Sequence, residues 1–124
     1  MSRQKNTVFV IDPDEAVHDA LRTLLSATGT NVVCYPNAES FLESIFTQDL
    51  IGGCLLAEAD LPGMGSLALL RRLQARDINI PIVVLTSTSN RDIADQALKA
   101  GATEVIEKPV VGARLLERLR QYNC

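Results

Sequence analysis

Six residues of this chain could do chemistry together, and each stands at the end of, or just beyond, a run that reads as a strand. They are Asp12 and Asp14 after Thr7–Ile11, Glu58 and Asp60 at the end of Cys54–Glu58, Thr86 after Pro81–Leu85, and Lys108 after Glu104–Glu107. Carboxylates beside a hydroxyl and a primary amine are the groups of nucleophilic and acid/base catalysis. The focal stretch is Cys54-Leu55-Leu56-Ala57-Glu58-Ala59-Asp60-Leu61-Pro62-Gly63. Apolar and small residues lead into two carboxylates at i and i+2, and Leu-Pro-Gly then forbids both further strand pairing and an immediate helix. A carboxylate at the carboxyl end of a strand lies where open α/β sheets keep their chemistry.

The elements that must position these groups alternate in type. Thr7–Ile11 is β-branched and aromatic, as a strand buried on both faces should be. Asp14 then stands as a helix cap before the stripe Val17, Ala20, Leu21, Leu24 and Leu25, and Gly29 stops that helix. His18 falls between the apolar positions and reads as solvated helix surface. Asn31–Tyr35 is a second strand, Asn37 caps a helix with Phe41, Leu42, Ile45 and Phe46 on its apolar face, and Gly52-Gly53 breaks the chain before the third strand. Leu67, Leu69, Leu70 and Leu73 mark a third helix, with Arg71, Arg72 and Arg76 on its solvated side. The segment Asp92 to Ala100 carries only Ile93, Ala94, Ala97 and Leu98 as an apolar face and should be the most thinly packed helix. The fifth strand leads to a last helix with Leu115, Leu116 and Leu119 inward and Arg114, Arg118 and Arg120 outward.

Five strand–helix alternations imply a parallel sheet with helices on both faces, since parallel neighbours need right-handed crossovers. The doubly wound order 2-1-3-4-5, as in flavodoxin-like folds, would bring the six chemical residues to one edge of the sheet. With 124 residues, 47% of them hydrophobic and 22% charged, the chain is expected to be a single soluble domain over 1–124. A net charge of −3 and the absence of Trp disfavour nucleic acid and anionic membrane as partners. No window reaches the length of a membrane span and the polar start is unlike a signal peptide, so a cytoplasmic location is expected. Cys34, Cys54 and Cys124 have no metal-site or redox spacing and are expected to be free thiols.

Four stretches in order, VFVIDPDEAV, LLAEADLPGMGSLALLRRL, IPIVVLTS and ALKAGATEVIEKP, resemble the receiver domain of two-component response regulators over essentially the whole chain. The resemblance implies an acidic pair after the first strand, a phosphoacceptor Asp ending the third, a hydroxyl after the fourth and a lysine after the fifth. Asp12 matches the first acid, Thr86 the switch hydroxyl and Lys108 the lysine, with Pro109 in the place of a proline usually held cis. Two positions depart: the second acid of the pair falls on Pro13 and the phosphoacceptor on Glu58. The aromatic on strand five that couples phosphorylation to the output surface reads Val105.

The chemistry sets the consequence of those departures. Mg²⁺, which the resemblance would place on Asp12, Glu58 and Asp60, demands near-octahedral geometry at about 2.0–2.1 Å, and Pro13 supplies no carboxylate to it. Asp14 would point the wrong way if it caps the helix. Glu58 carries its carboxylate one carbon further, and a misplacement of about 1 Å can cost about a hundredfold in rate. Weak or absent Mg²⁺ binding, with no other cofactor, is therefore expected. The longer side chain could instead approach Lys108 and Thr86 and make contacts that a phosphoryl group would otherwise make.

The expectation is a phosphorylation-independent receiver that acts in signalling as a protein-interaction or dimerisation module through helix 4, strand 5 and helix 5. It resembles receivers that precede helix-turn-helix output domains in transcription regulators. One alternative is a Mg²⁺-dependent receiver that accepts phosphate from a histidine kinase. Another is a small carboxylate-based phosphohydrolase, disfavoured because the chain lacks a Gly-rich phosphate loop, a nucleophile elbow and a histidine on the active edge.

Overall fold

The computed structural model describes residues 7–45, 52–87, 91–108 and 112–122. Its elements run β1 (Thr7–Ile11), α1 (Glu15–Ser26), β2 (Asn31–Tyr35), α2 (Ala38–Ser44), β3 (Cys54–Glu58), α3 (Ser66–Ala75), β4 (Ile82–Thr86), α4 (Arg91–Lys99), β5 (Glu104–Glu107) and α5 (Gly112–Gln121). The strands form one parallel sheet in the order β2-β1-β3-β4-β5, the doubly wound, flavodoxin-like arrangement that the alternation implies.

The strands are apolar at consecutive positions because each side of the sheet has its own core. Phe9, Ile11, Leu55, Ala57, Ile82 and Val84 face α2, α3 and α4, where Phe41, Leu69, Leu70 and Leu73 are buried. The alternate positions Val8, Val10, Cys54, Leu56, Val83 and Leu85 face α1 and α5, packing on Leu21, Leu25, Leu115 and Leu119. Phe41 is fully buried and makes edge-on ring contacts with Phe9 and Tyr35, at centroid distances of 5.9 and 5.2 Å.

Two caps stand where the sequence put them. The Asp14 carboxylate accepts from the Ala16 N–H at 2.9 Å, and the Asn37 side chain from the Ser40 N–H at 2.7 Å. Gly29, with φ of 77°, takes the left-handed conformation just past α1 that any other residue would resist.

Several expectations need correction. β4 begins at Ile82 and runs to Thr86, because Pro81 has no N–H to give the ladder and only its carbonyl joins, accepting from Leu55 N–H at 2.9 Å. α4 has Ala97 as its one buried residue, the thinnest packing of the five described helices, but Leu98 is 46% exposed and lies off its apolar face. Arg118 is not a simple outward residue, since it pairs with Glu104. Cys34 is a free thiol as expected, with burial pushing its pKa up against the opposing pull of Arg22, whereas Cys54 is disulfide-bonded. Phe46, Pro109 and Cys124, each assigned a place by the sequence reading, lie outside the described residues.

Candidate functional site: the carboxyl edge of the sheet

Strand register brings the site together. Ile11 lies opposite Ala57, Glu58 opposite Leu85, and Thr86 opposite Glu107, so Asp12, Glu58, Thr86 and Lys108 reach the same edge on four strands. Asp12, Glu58 and Thr86 are 4%, 8% and 5% exposed, and are three of the four buried polar residues among those described. Such burial of two carboxylates needs a compensating charge.

That charge is Lys108. Its ammonium donates a short hydrogen bond to Glu58 Oε2 and sits 3.7 Å from Asp12 Oδ2, with its side chain 30% exposed. Burial pulls the lysine's pKa down, but the Glu58 hydrogen bond and the charges of Glu58 and Asp12 outweigh it, and the net direction is up. The backbone is engaged as well: Lys108 N–H donates to the Thr86 carbonyl at 2.7 Å. One residue after β5 is thus tied to the ends of β1, β3 and β4.

Asp12 is held by two further contacts. Its Oδ1 accepts from the Asp14 N–H at 2.8 Å in a tight local turn, and its carbonyl accepts from His18 Nε2–H at 2.7 Å. His18 is therefore half-buried and structural, not a solvated surface residue. The signal lay in the spacing: with Asp14 as cap, a side chain four residues into α1 leans back over the turn that holds Asp12.

The remaining expected residues are not drawn in. The Asp14 carboxylate is committed to its cap and exposed, as is Pro13. Asp60 is exposed, and only its backbone N–H approaches Glu58, at 3.4 Å from Oε1. Val105 is half-buried against the core on the α2, α3 and α4 side. Among the described residues no buried side-chain nitrogen or oxygen lacks a hydrogen-bond partner.

A cluster that sequence reasoning missed lies on β5 and α5. Glu104 Oε1 accepts from Arg118 Nε at 2.9 Å and Nη2 at 2.6 Å, and from the Tyr122 hydroxyl in a short bond. Burial works to raise the Glu104 pKa, but these donors and the arginine charge win and hold it below the usual carboxylate range. The i+4 spacing of Arg118 and Tyr122 was its only trace in the sequence.

A fold of this order with an acid, a hydroxyl and a lysine on one edge defines a class, and comparison with known proteins agrees. The family model for the response regulator receiver domain matches residues 8–120. The transcriptional regulatory protein FixJ of Bradyrhizobium diazoefficiens is 33% identical over 111 residues, which are 90% of this chain and 53% of that protein. The response regulator protein TmoT of Ectopseudomonas mendocina is 32% identical over 120 residues, 97% of this chain and 54% of that one. Among solved structures, the crystal structure of FixJ-N superposes with a TM-score of 0.85 at 34% identity, covering 98% of this chain and 95% of that one. The response regulator StyR gives 0.86 at 36%, covering 97% and 60%.

The chain belongs to the response regulator receiver domain family, the signal-receiving part of two-component systems. It spans about half the length of the curated relatives it matches, several of which are transcriptional regulators. No described helix is long and apolar enough to cross a membrane.

Proposed function

We propose that this chain is a receiver whose signalling state does not depend on phosphorylation, and that it acts as a protein-interaction or dimerisation module. The observation that carries this reading is the Lys108 ammonium seated on the Glu58 carboxylate with Asp12 at 3.7 Å. In that arrangement Glu58 supplies from within the chain the negative oxygen that a phosphoryl group would present to the lysine.

The residues do not fit Mg²⁺. The cation would compete with an ammonium already between the two buried carboxylates, Pro13 offers no ligand, and the Asp14 carboxylate is spent on α1. Weak metal binding is the corresponding expectation, and no phosphoryl-transfer step is drawn through the ion. The partner surface is the face of α4, β5 and α5, where Leu98 is exposed and Val105 is half-buried, and the partner is another protein or a second copy of the chain. Within a longer regulator, that surface would act on a transcriptional output.

Intact-mass measurement after incubation with acetyl phosphate and Mg²⁺ tests this reading. The expected result is no phosphoryl adduct on the chain, together with an adduct on the double variant Pro13→Asp/Glu58→Asp, which restores the family's acid pair and acceptor. Stoichiometric phosphorylation of the unaltered chain at Glu58 or Asp60 would instead establish the alternative, a receiver still served by a histidine kinase.

A further inference from the structure

A cleft of about 500 Å³ opens between the carboxyl ends of β3 and β4, the first turn of α3, and α4. Its described walls are formed by the hydroxyl residues Ser66, Thr86 and Ser87, by Gln96 and Asp60, and by the apolar Leu67 and Ile93. Asp12, Glu58 and Lys108 are not among its described lining residues but Thr86 is, so the cleft adjoins the ion-paired edge on the side of β4. Its size and its mix of apolar wall with a few polar groups are those of small-molecule sites.

The charges in the cleft select its occupant. Asp60 is the one acidic side chain among the described lining residues, which include no lysine or arginine. The N-terminus of α3 adds about half a positive charge, which a full carboxylate outweighs. Ser66 Oγ already donates to the Ala59 carbonyl at 2.9 Å, leaving its oxygen as an acceptor toward a donor ligand.

We propose that this cleft binds a small organic cation, a primary ammonium carrying a short apolar chain, and that occupancy fixes α4. The ammonium would donate to Asp60 and the neighbouring oxygens, while the chain would cover Ile93 and Leu67. α4 is the element to respond, because Ala97 is its one buried residue against four on α3. A ligand bridging Ile93 to the α3 wall adds contacts where the helix has fewest. Its affinity for each state of α4 then sets how far it shifts the adjoining partner surface.

Amide chemical shifts of the isotopically labelled chain, without Mg²⁺ or phosphodonor, test this against three four-carbon probes: n-butylammonium, n-butanol and butyrate. Butylammonium should give saturable shifts at Ser66, Leu67, Ser87, Ile93 and Gln96 with a dissociation constant on the order of 1–10 mM, as such small ligands allow. Butanol should bind roughly fivefold more weakly and butyrate least. Asp60→Asn should weaken butylammonium about fivefold, Gln96→Glu should tighten it, and Gln96→Lys should reverse the preference toward butyrate. Both positions are exposed, so these variants leave the fold intact. Amide exchange along α4 should slow when butylammonium is bound. Butyrate binding as tightly as butylammonium, indifference to Asp60→Asn, unaltered α4 exchange at saturation, or no saturable shift by about 50 mM would overturn the proposal.

Discussion

The two carboxylate clusters of this chain use the same chemistry in opposite balance. On β5 and α5, one carboxylate oxygen of Glu104 receives three donors from Arg118 and Tyr122, at a partly exposed position. At the carboxyl edge, two buried carboxylates share a single ammonium. The first has donors to spare and behaves as a strut that fixes α5 to β5. The second carries net negative charge out of water, which proteins tolerate where the residues serve something besides stability. The difference is what sets the edge apart as the candidate site, while Glu104 ties α5 to β5.

The two clusters differ most at Lys108. Lys108→Met leaves Glu58 and Asp12 buried without a cation and should cost about 1–3 kcal/mol in urea unfolding, a range set below that of fully buried pairs because the lysine is partly exposed. Adding Glu58→Met should recover most of the loss. If the double variant is no more stable than Lys108→Met, the pair is not coupled as described. At the strut, Tyr122→Phe removes one of three donors to Glu104 and should cost about 0.5–1 kcal/mol, with Glu104 still paired to Arg118.

The two clusters should also fail at opposite ends of the pH range. The Glu104 pKa is lowered from 4.5, so its stabilisation is complete above that value and is lost as pH falls through the lowered one. The Lys108 pKa is raised from 10.5, so its stabilisation is complete below that value and is lost as pH rises through the raised one. Stability profiles of Glu104→Gln and Lys108→Met should each lack one limb. Identical profiles in the two variants would remove the distinction. The smallest stability effect belongs to exposed Leu98: Leu98→Ser should change unfolding by less than about 0.5 kcal/mol, while lowering any self-association seen by sedimentation.

The strand order and the convergence of Asp12, Glu58, Thr86 and Lys108 were legible in the sequence because both follow from strand–helix alternation and from polar residues placed at the ends of apolar runs. Caps at Asp14 and Asn37 were legible for the same local reason. What was hidden depended on side chains meeting across elements. His18 reaches the Asp12 carbonyl only because α1 folds back over the turn, and Arg118 meets Glu104 only once α5 docks on β5. Leu98 shows the converse error: its hydrophobic type suggested the buried side of α4, yet the helix turns Ala97 inward and leaves the larger residue in water.

Lys108 has one more consequence, for the order in which the chain assembles. It reaches back 50 residues to Glu58, further still to Asp12, and holds Thr86 through its backbone. Contacts that span so much chain close late, after the loops between them have lost their freedom. The rim can therefore be fastened only when the final strand arrives, like a clasp on a sheet already formed. Removing the clasp should quicken unfolding in stopped-flow measurements while leaving the refolding rate almost unchanged.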